Sequence, residues 1–321
     1  MLENSASLLW TLLAVFSTLL GGTLVRIVAL RGAAASIVAS QLSSLRTWWI
    51  LFSLVAVAVV FGQVGIATLL GMAGVLGLRE FMGLVGWPNV GKPTAILVFA
   101  LVPLYYVLAS AGQHELVRQM APAVFLVALG GLRSWLGLIE GYIRTTAAML
   151  WGLMLFVYGL SHAYLLSELP STVGPPVSNY GYFLFLILLT ETNDIMQAVI
   201  GRRFGKRKIT PRVSPNKSLE GLLGGMVVTI VLAVLAASSL TTWTVGRSLA
   251  ESLTISAMAG AVISLFGFLG DINMSGIKRD VGVKDGSKLL PGQGGMIDRI
   301  DSLTFTAPVF YYFVRFVTGP T

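Results

Sequence analysis

The sequence predicts an all-α polytopic membrane protein of about nine to ten transmembrane helices, with its chemistry on cytoplasmic loops. Three observations predict it. Hydrophobic residues make up 55% of the 321 and charged residues 11%, where a soluble domain is about a quarter charged. The apolar residues fall in runs close to the roughly 20 that a helix needs to cross a bilayer. The basic residues sit almost wholly in alternate loops between those runs, as in a protein oriented by cytoplasmic charge. The same composition excludes a single water-soluble domain and an intrinsically disordered chain. There is no cysteine, which excludes disulfides, thiolate zinc sites, iron–sulfur clusters and cysteine nucleophiles. Two histidines, His114 and His162, leave little for a histidine-ligated metal.

The runs lie near 7–25, 47–63, 65–85, 94–112, 119–135, 146–167, 179–200, 222–240, 250–270 and 302–318. The first is long, carries Glu3 instead of a basic start and lacks a small-residue cleavage site, so it reads as an anchor and not a secretory leader. Arg79 and Glu80 interrupt the third and the fifth is short, which makes nine spans the alternative count. Pro103 in the fourth reads as a kink. Ser167–Ser178, rich in Pro, Ser and Val, reads as an external loop. The seventh carries Glu191 and Asp194 inside an apolar run, where an acid defaults to function. The tryptophans fall mostly near span ends and read as an aromatic belt. His162 reads as a packing residue and His114 as loop surface.

The loops after the first, third, fifth, seventh and ninth runs hold 19 of the 22 Lys and Arg residues, leaving Arg118, Arg247 and Arg315 on the other side. Basic loops stay inside. The reading is an integral protein of the cell (inner) membrane with its active site on the cytoplasmic face. Residues 1–178 read as N-terminal membrane helices and 179–321 as a C-terminal catalytic region, because nine of the fourteen acids fall in the second part.

The chemistry concentrates in 264–301. Asp271 ends an apolar helix, where a carboxylate is costly unless it pairs or binds a cation. Asp298 and Asp301, three apart, would share a helical face. With Ser275 these acids are a hard-oxygen set suited to Mg²⁺. Lys278, Arg279, Lys284, Lys288 and Arg299 add phosphate-binding charge. Pro291-Gly292-Gln293-Gly294-Gly295 lets backbone N–H groups approach an anion. Acids for metal beside bases for phosphate are what phosphoryl or nucleotidyl transfer requires.

Ser275-Gly-Ile-Lys278-Arg279, then Lys284-Asp285, then Pro291-Gly-Gln-Gly-Gly295-Met-Ile-Asp298-Arg299-Ile-Asp301 resembles the signature of the phosphatidate cytidylyltransferase (CDP-diacylglycerol synthase) family. Asp194, the block Gly201–Lys208 and Val213-Ser214-Pro-Asn-Lys217-Ser-Leu-Glu220-Gly221 resemble that family's other cytoplasmic block, and Arg79-Glu80-Phe81 is a weaker echo. The resemblance covers residues 180–318. It departs at Gln293, where the family usually has His, and at Met274, where Glu is common.

The resemblance implies transfer of CMP from CTP to phosphatidate, giving CDP-diacylglycerol and pyrophosphate. It implies that Asp271, Asp298 and Asp301 hold divalent metal, with Mg²⁺ as cofactor and CTP as substrate. Lys278, Arg279, Lys284 and Arg299 would hold phosphates, with Asp285 in the same catalytic set. Arg202, Lys206, Ser214, Lys217, Gly292, Gly294 and Gly295 would bind CTP or the lipid phosphate, and Asp194 would be a second metal or nucleotide contact. The partners implied are CTP, phosphatidate or a related lipid phosphate, membrane lipid and a second copy of the chain as homodimer, with no nucleic acid. Alternatives are a CTP-dependent transferase for a different lipid phosphate, an inactive membrane paralogue, or a transporter. The last is disfavoured because the charge clusters at one face without a repeat.

Overall fold

The computed structural model describes residues 6–31, 35–86, 90–169, 180–283, 286–287, 289–290 and 294–319. Of the site residues expected above, Lys284, Asp285, Lys288, Pro291 and Gly292 lie outside these, as do Gln293 and most of the expected loop Ser167–Ser178.

Every one of the ten apolar runs is helical. The helices are α1 (Ala6–Ala29), α2 (Ala35–Val60), α3 (Gly62–Val85), α4 (Lys92–Ser110) and α5 (His114–Trp135), followed by α6 (Tyr142–Leu153), a π turn (Met154–Gly159) and α7 (Leu160–Ser167) as one continuous rod. Then come α8 (Gly181–Phe204), α9 (Leu219–Leu240), α10 (Leu249–Asp280) and α11 (Ile297–Thr318). Among the described residues, eight of these rods are long and apolar enough to cross a membrane. The protein is an all-α polytopic membrane protein. The apolar part of α1, Leu12–Val28, is shorter than those eight. α11 begins with a charged turn, Asp298-Arg299-Ile-Asp301, and packs against α3, α7, α8 and α10 in the middle of the bundle.

Boundaries shift where polar residues continue a helix that hydropathy alone would stop. α10 runs past the expected 270 to Asp280, started by a full capping box between Ser248 and Glu251. α2 starts before Gln41, well ahead of the expected 47. α3 passes Arg79 and Glu80 unbroken. The basic block after α8 is a short antiparallel hairpin, β1 (Lys208–Thr210) with β2 (Ser214–Ser218). It feeds straight into α9, where the Ser218 side chain accepts from the Gly221 N–H as N-cap.

The buried core draws on both halves of the chain: Ile66 and Phe81 of α3, Phe156 of the π turn, Phe185 of α8 and Phe310 of α11 are nearly inaccessible. Trp243, expected in an interfacial belt, belongs to this core instead. It is 1% exposed, packs edge-on to Phe185 and Phe310, and donates to Ser256 Oγ at 3.0 Å. His162 is fully buried among Tyr158, Tyr311 and Tyr312. His114, expected as loop surface, opens α5 and faces Glu168 at 3.7 Å.

Two features bring α8, α9, α10 and α11 together behind the site. Asn193 on α8 accepts from Ser264 Oγ (2.7 Å), Gln197 Nε2 (3.0 Å) and Thr229 Oγ1 (3.3 Å), joining α8 to α9 and α10 in an apolar setting where small and polar residues glue helices. Gly270 lets α10 press on α11, since a Cβ there would stand 2.6 Å from the Asp301 carbonyl oxygen. That contact fixes Asp271 and Asp301 as neighbours across the α10–α11 seam.

Candidate active site

The site is the polar end of one large cavity. Asp194 and Arg202 of α8, Ser214 and Lys217 of β2, Asp271 and Lys278 of α10, Gly294, and Asp298, Arg299 and Asp301 of α11 all line it. Residues from 194 to 301 thus converge on one volume.

The convergence has a structure that spacing did not show. Lys217 reaches from the hairpin into α10 and meets Asp271 at 2.5 Å. Burial would lower the Lys217 ammonium, but Asp271 and Asp194 outweigh it and raise it above the usual lysine range. Asp301 lies within electrostatic reach of Asp194 and Asp271, so this is a cluster of three acids around one ammonium. Ser275 Oγ donates weakly to Asp271 at 3.4 Å.

Asp298 belongs to a second cluster. Its Oδ1 accepts from Lys278 at 2.7 Å, and its Oδ2 accepts from the N–H groups of Gly295 at 2.9 Å and Gly286 at 3.2 Å. Burial would raise the Asp298 carboxyl, but Lys278 and the two N–H donors outweigh it and hold it below the usual carboxylate range. Gly294, at φ +83°, brings the loop so close that a Cβ would stand 2.5 Å from Asp298 Oδ2. Only glycine adopts that backbone and leaves that room.

The resemblance assigned Asp271, Asp298 and Asp301 to divalent metal. The three divide between two lysine-capped clusters, and among the described residues no group of three His, Asp or Glu side chains is placed to hold a metal ion. The physical reason is the angle between residues three apart on a helix, about 60° around the axis. In the first turn of α11 that turns Asp298 to the loop and Asp301 to α10. The carboxylates suit a hard cation chemically, but as arranged they do not fit one.

The other expected residues separate similarly. Arg299 lines the cavity, and its Nε is buried with no hydrogen-bond partner among the described residues. Arg279 instead turns to the hairpin, donating to the carbonyls of Val213 and Val283 at 3.3 Å each. Lys206 is exposed, and its backbone N–H donates to Glu220 at 2.9 Å. Gly294 lines the cavity, while Gly295 acts through its N–H. Met274 is fully buried in helix packing, away from the cavity lining.

Glu80 of α3 is the residue the sequence only hinted at. Its Oε1 accepts from Ser287 Oγ at 2.6 Å and the Met296 N–H at 3.0 Å, and its Oε2 accepts from the Ile297 N–H at 3.0 Å. α11 has no side-chain cap of its own, so Glu80 caps it from more than 200 positions away. The signal was an acid inside an apolar run, a position where acids act.

A family model described as the cytidylyltransferase family matches residues 43–317. Escherichia coli (strain K12) has a similar protein, "Uncharacterized protein YnbB", 44% identical over 218 residues, 67% of this chain and 69% of that one. A phosphatidate cytidylyltransferase of Haemophilus influenzae is 44% identical over 140 residues, 43% of this chain and 48% of its own length. One of Mycobacterium leprae is 30% identical over 278 residues, 70% of this chain and 84% of that one.

Proposed function

The chain belongs to the cytidylyltransferase family and is a nucleotidyltransferase, and from that premise we propose that it transfers CMP from CTP to phosphatidate, releasing pyrophosphate. The observation that carries the reading is the meeting of Lys217, Lys278 and Arg299 with four aspartates at one end of an otherwise apolar cavity. Cations hold a triphosphate and a lipid phosphate, and the apolar remainder suits an acceptor with a hydrocarbon part.

In the proposed step a phosphate oxygen of phosphatidate attacks the α-phosphorus of CTP. The bond from that phosphorus to the bridging oxygen breaks, and pyrophosphate leaves with the electron pair. The nucleophile is already an anion near neutral pH, so no strong base is needed. Neither histidine lines the cavity, which agrees with that. Catalysis is then positioning and charge neutralisation. Lys217 and Lys278 each spend one donor on an aspartate and keep two for phosphate. Asp271 and Asp298 aim those ammonium groups, and the unpartnered Arg299 Nε supplies a further donor. Arg202, on the cavity rim, attracts the incoming anion. Mg²⁺ is proposed to enter with CTP as part of that substrate, and no step is routed through it because the aspartates do not assemble a site for it.

The site is proposed to face the cytoplasm of an inner membrane, where CTP is available. The basic hairpin and the signature loop at this same end support that orientation. The test is pyrophosphate release by the purified protein with CTP, Mg²⁺ and phosphatidate. Release that requires phosphatidate and is lost in Lys278→Met supports the reaction. Release only with another lipid phosphate reassigns the acceptor, and none with any lipid phosphate refutes the reading.

A further inference from the structure

The proposed chemistry occupies one end of the cavity and leaves most of its wall unexplained. The cavity volume is about 3210 Å³, several times the roughly 1,000 Å³ at the upper end of small-molecule sites. A nucleoside triphosphate leaves most of it empty. Away from the charged end the wall is mostly apolar and is built by α2, α3, α8 and α9, and α1 closes it. Leu12, Val15, Leu19, Gly22 and Arg26 of α1 line the cavity. Their spacing of three and four places them on one helical face, apolar for four positions and ending on the Arg26 guanidinium, on the side where the charge pattern puts the basic loops; Thr18 and Thr23 of the same helix also line the cavity.

α1 is tied to α2 at that place. Trp49 Nε1 donates to Thr23 Oγ1 at 3.2 Å, and its ring stands edge-on to Phe16 at 5.4 Å. The family match begins at residue 43, so α1 lies before the matched residues.

We propose that α1 is an acyl-chain wall: with α2, α3, α8 and α9 it holds the hydrocarbon tails of the lipid phosphate acceptor, and Arg26 pairs with the acceptor's phosphate. This rests on the lipid-phosphate reading above. The occupant follows from the continuity of the groove with the cluster of Lys217, Lys278 and Arg299, and from the match of their charge to a phosphate. Bilayer tails are as apolar as the groove, so moving them in gains little. The groove therefore selects by shape and chain length, and the phosphate contacts supply the attraction.

The test is photolabelling of the full-length protein in nanodiscs with phosphatidate carrying a diazirine in one acyl chain, and with the same chain on phosphatidylcholine. Labels from phosphatidate concentrated on residues 12–26 and the facing residues of α2, α3, α8 and α9 are expected, with the choline lipid labelling them at least five-fold less. A Cβ at Gly22 meets nothing within 4 Å, so a side chain there starts in open space, and Gly22→Trp, projecting into the groove, lowers that labelling at least five-fold. Leu24→Trp, at a 56% exposed position of the same helix outside the lining, leaves it unchanged. Equal labelling by both lipids means bulk lipid only and overturns the proposal. So does labelling elsewhere, or crosslinks from the stripe to a second copy. The map needs no turnover, so absent CMP transfer with an intact map sinks the reaction alone, and transfer without the map sinks the wall alone.

Discussion

Replacing Glu80 tests whether the signature loop is held by a carboxylate from the other half of the chain. The wild-type side chain receives a hydroxyl at 2.6 Å and two N–H groups at 3.0 Å. Hydrogen bonds to a charged acceptor are worth about 1.5–3 kcal/mol each, but three that share one carboxylate are not additive. Removing a helix N-cap alone costs about 0.5–2 kcal/mol, and losing negative charge at a helix N-terminus about 0.3–1 kcal/mol. Glu80 is only half-buried, so water recovers part of the loss. Glu80→Ala should cost about 2–4 kcal/mol, and Glu80→Gln, which keeps one acceptor oxygen, about 1–2 kcal/mol, on the same principles. Asp298 sits in the same first turn and takes its two N–H donors from the same loop, so the loss should reach it. Rates of CMP transfer should fall about tenfold for each 1.4 kcal/mol that the loop, and not the whole bundle, gives up. The assay is transfer kinetics beside thermal unfolding in detergent. Wild-type rate and midpoint in Glu80→Ala would show that the loop holds itself and that the cap is incidental.

The remaining predictions concern the two clusters and the orientation. Lys217→Met leaves Asp271 and its acidic neighbours without their ammonium and should destabilise by about 2–4 kcal/mol; adding Asp271→Asn should restore the midpoint but not transfer, as thermal scans and pyrophosphate release would show. Asp298→Asn should lower stability by about 1–3 kcal/mol because three donors then meet a single acceptor oxygen, whereas Asp301→Asn, whose Oδ1 accepts only the Ser302 N–H among the described residues, should lower transfer with less effect on unfolding. The lowered Asp298 carboxyl adds stability that is full above its unfolded value, about 3.9, and is lost as pH falls through the folded value; Asp298→Asn should flatten that acid limb in a stability-against-pH series. The chain has no cysteine, so Lys206→Cys and Asp280→Cys should be shielded from a membrane-impermeant thiol reagent outside intact cells while Ala250→Cys, at the other end of α10, reacts.

The fold was legible because a bilayer imposes a coarse requirement. A helix must stay apolar for about 20 residues, and the ten runs that do so are all helical. What hydropathy could not show is where a helix outlasts its apolar part, since Ser275–Asp280 continues α10 with polar side chains that bond to Asp298 and to the Val213 carbonyl. The β1–β2 hairpin was hidden for a similar reason. Ser-Pro-Asn-Lys-Ser has no apolar alternation to mark a strand, and its pairing with Lys208–Thr210 is fixed by the chain returning to cap α9. Trp243 misled because belt and core tryptophans look alike in sequence; its 3.0 Å bond to Ser256 satisfies the indole N–H and lets the ring go inside.

The site was legible as a set of residues and illegible as an arrangement. Charge and glycine pattern, with the family resemblance, named Asp194, Lys217, Asp271, Lys278, Asp298, Arg299 and Asp301, and all seven line one cavity. Spacing could not say who faces whom. Two acids three apart share a face in an isolated helix, but at a helix terminus each answers to a different neighbour. Gly270 draws α10 onto the Asp301 carbonyl, and Gly294 draws the loop onto the Asp298 carboxylate. Each aspartate is thus assigned by a glycine on another segment, and the same two contacts leave Lys217 and Lys278 on different acids. The separation makes chemical sense for a reaction between two polyanions. One ammonium per cluster, each aimed by its own carboxylate, gives two anchoring points for two phosphate groups, where one merged cluster would give one.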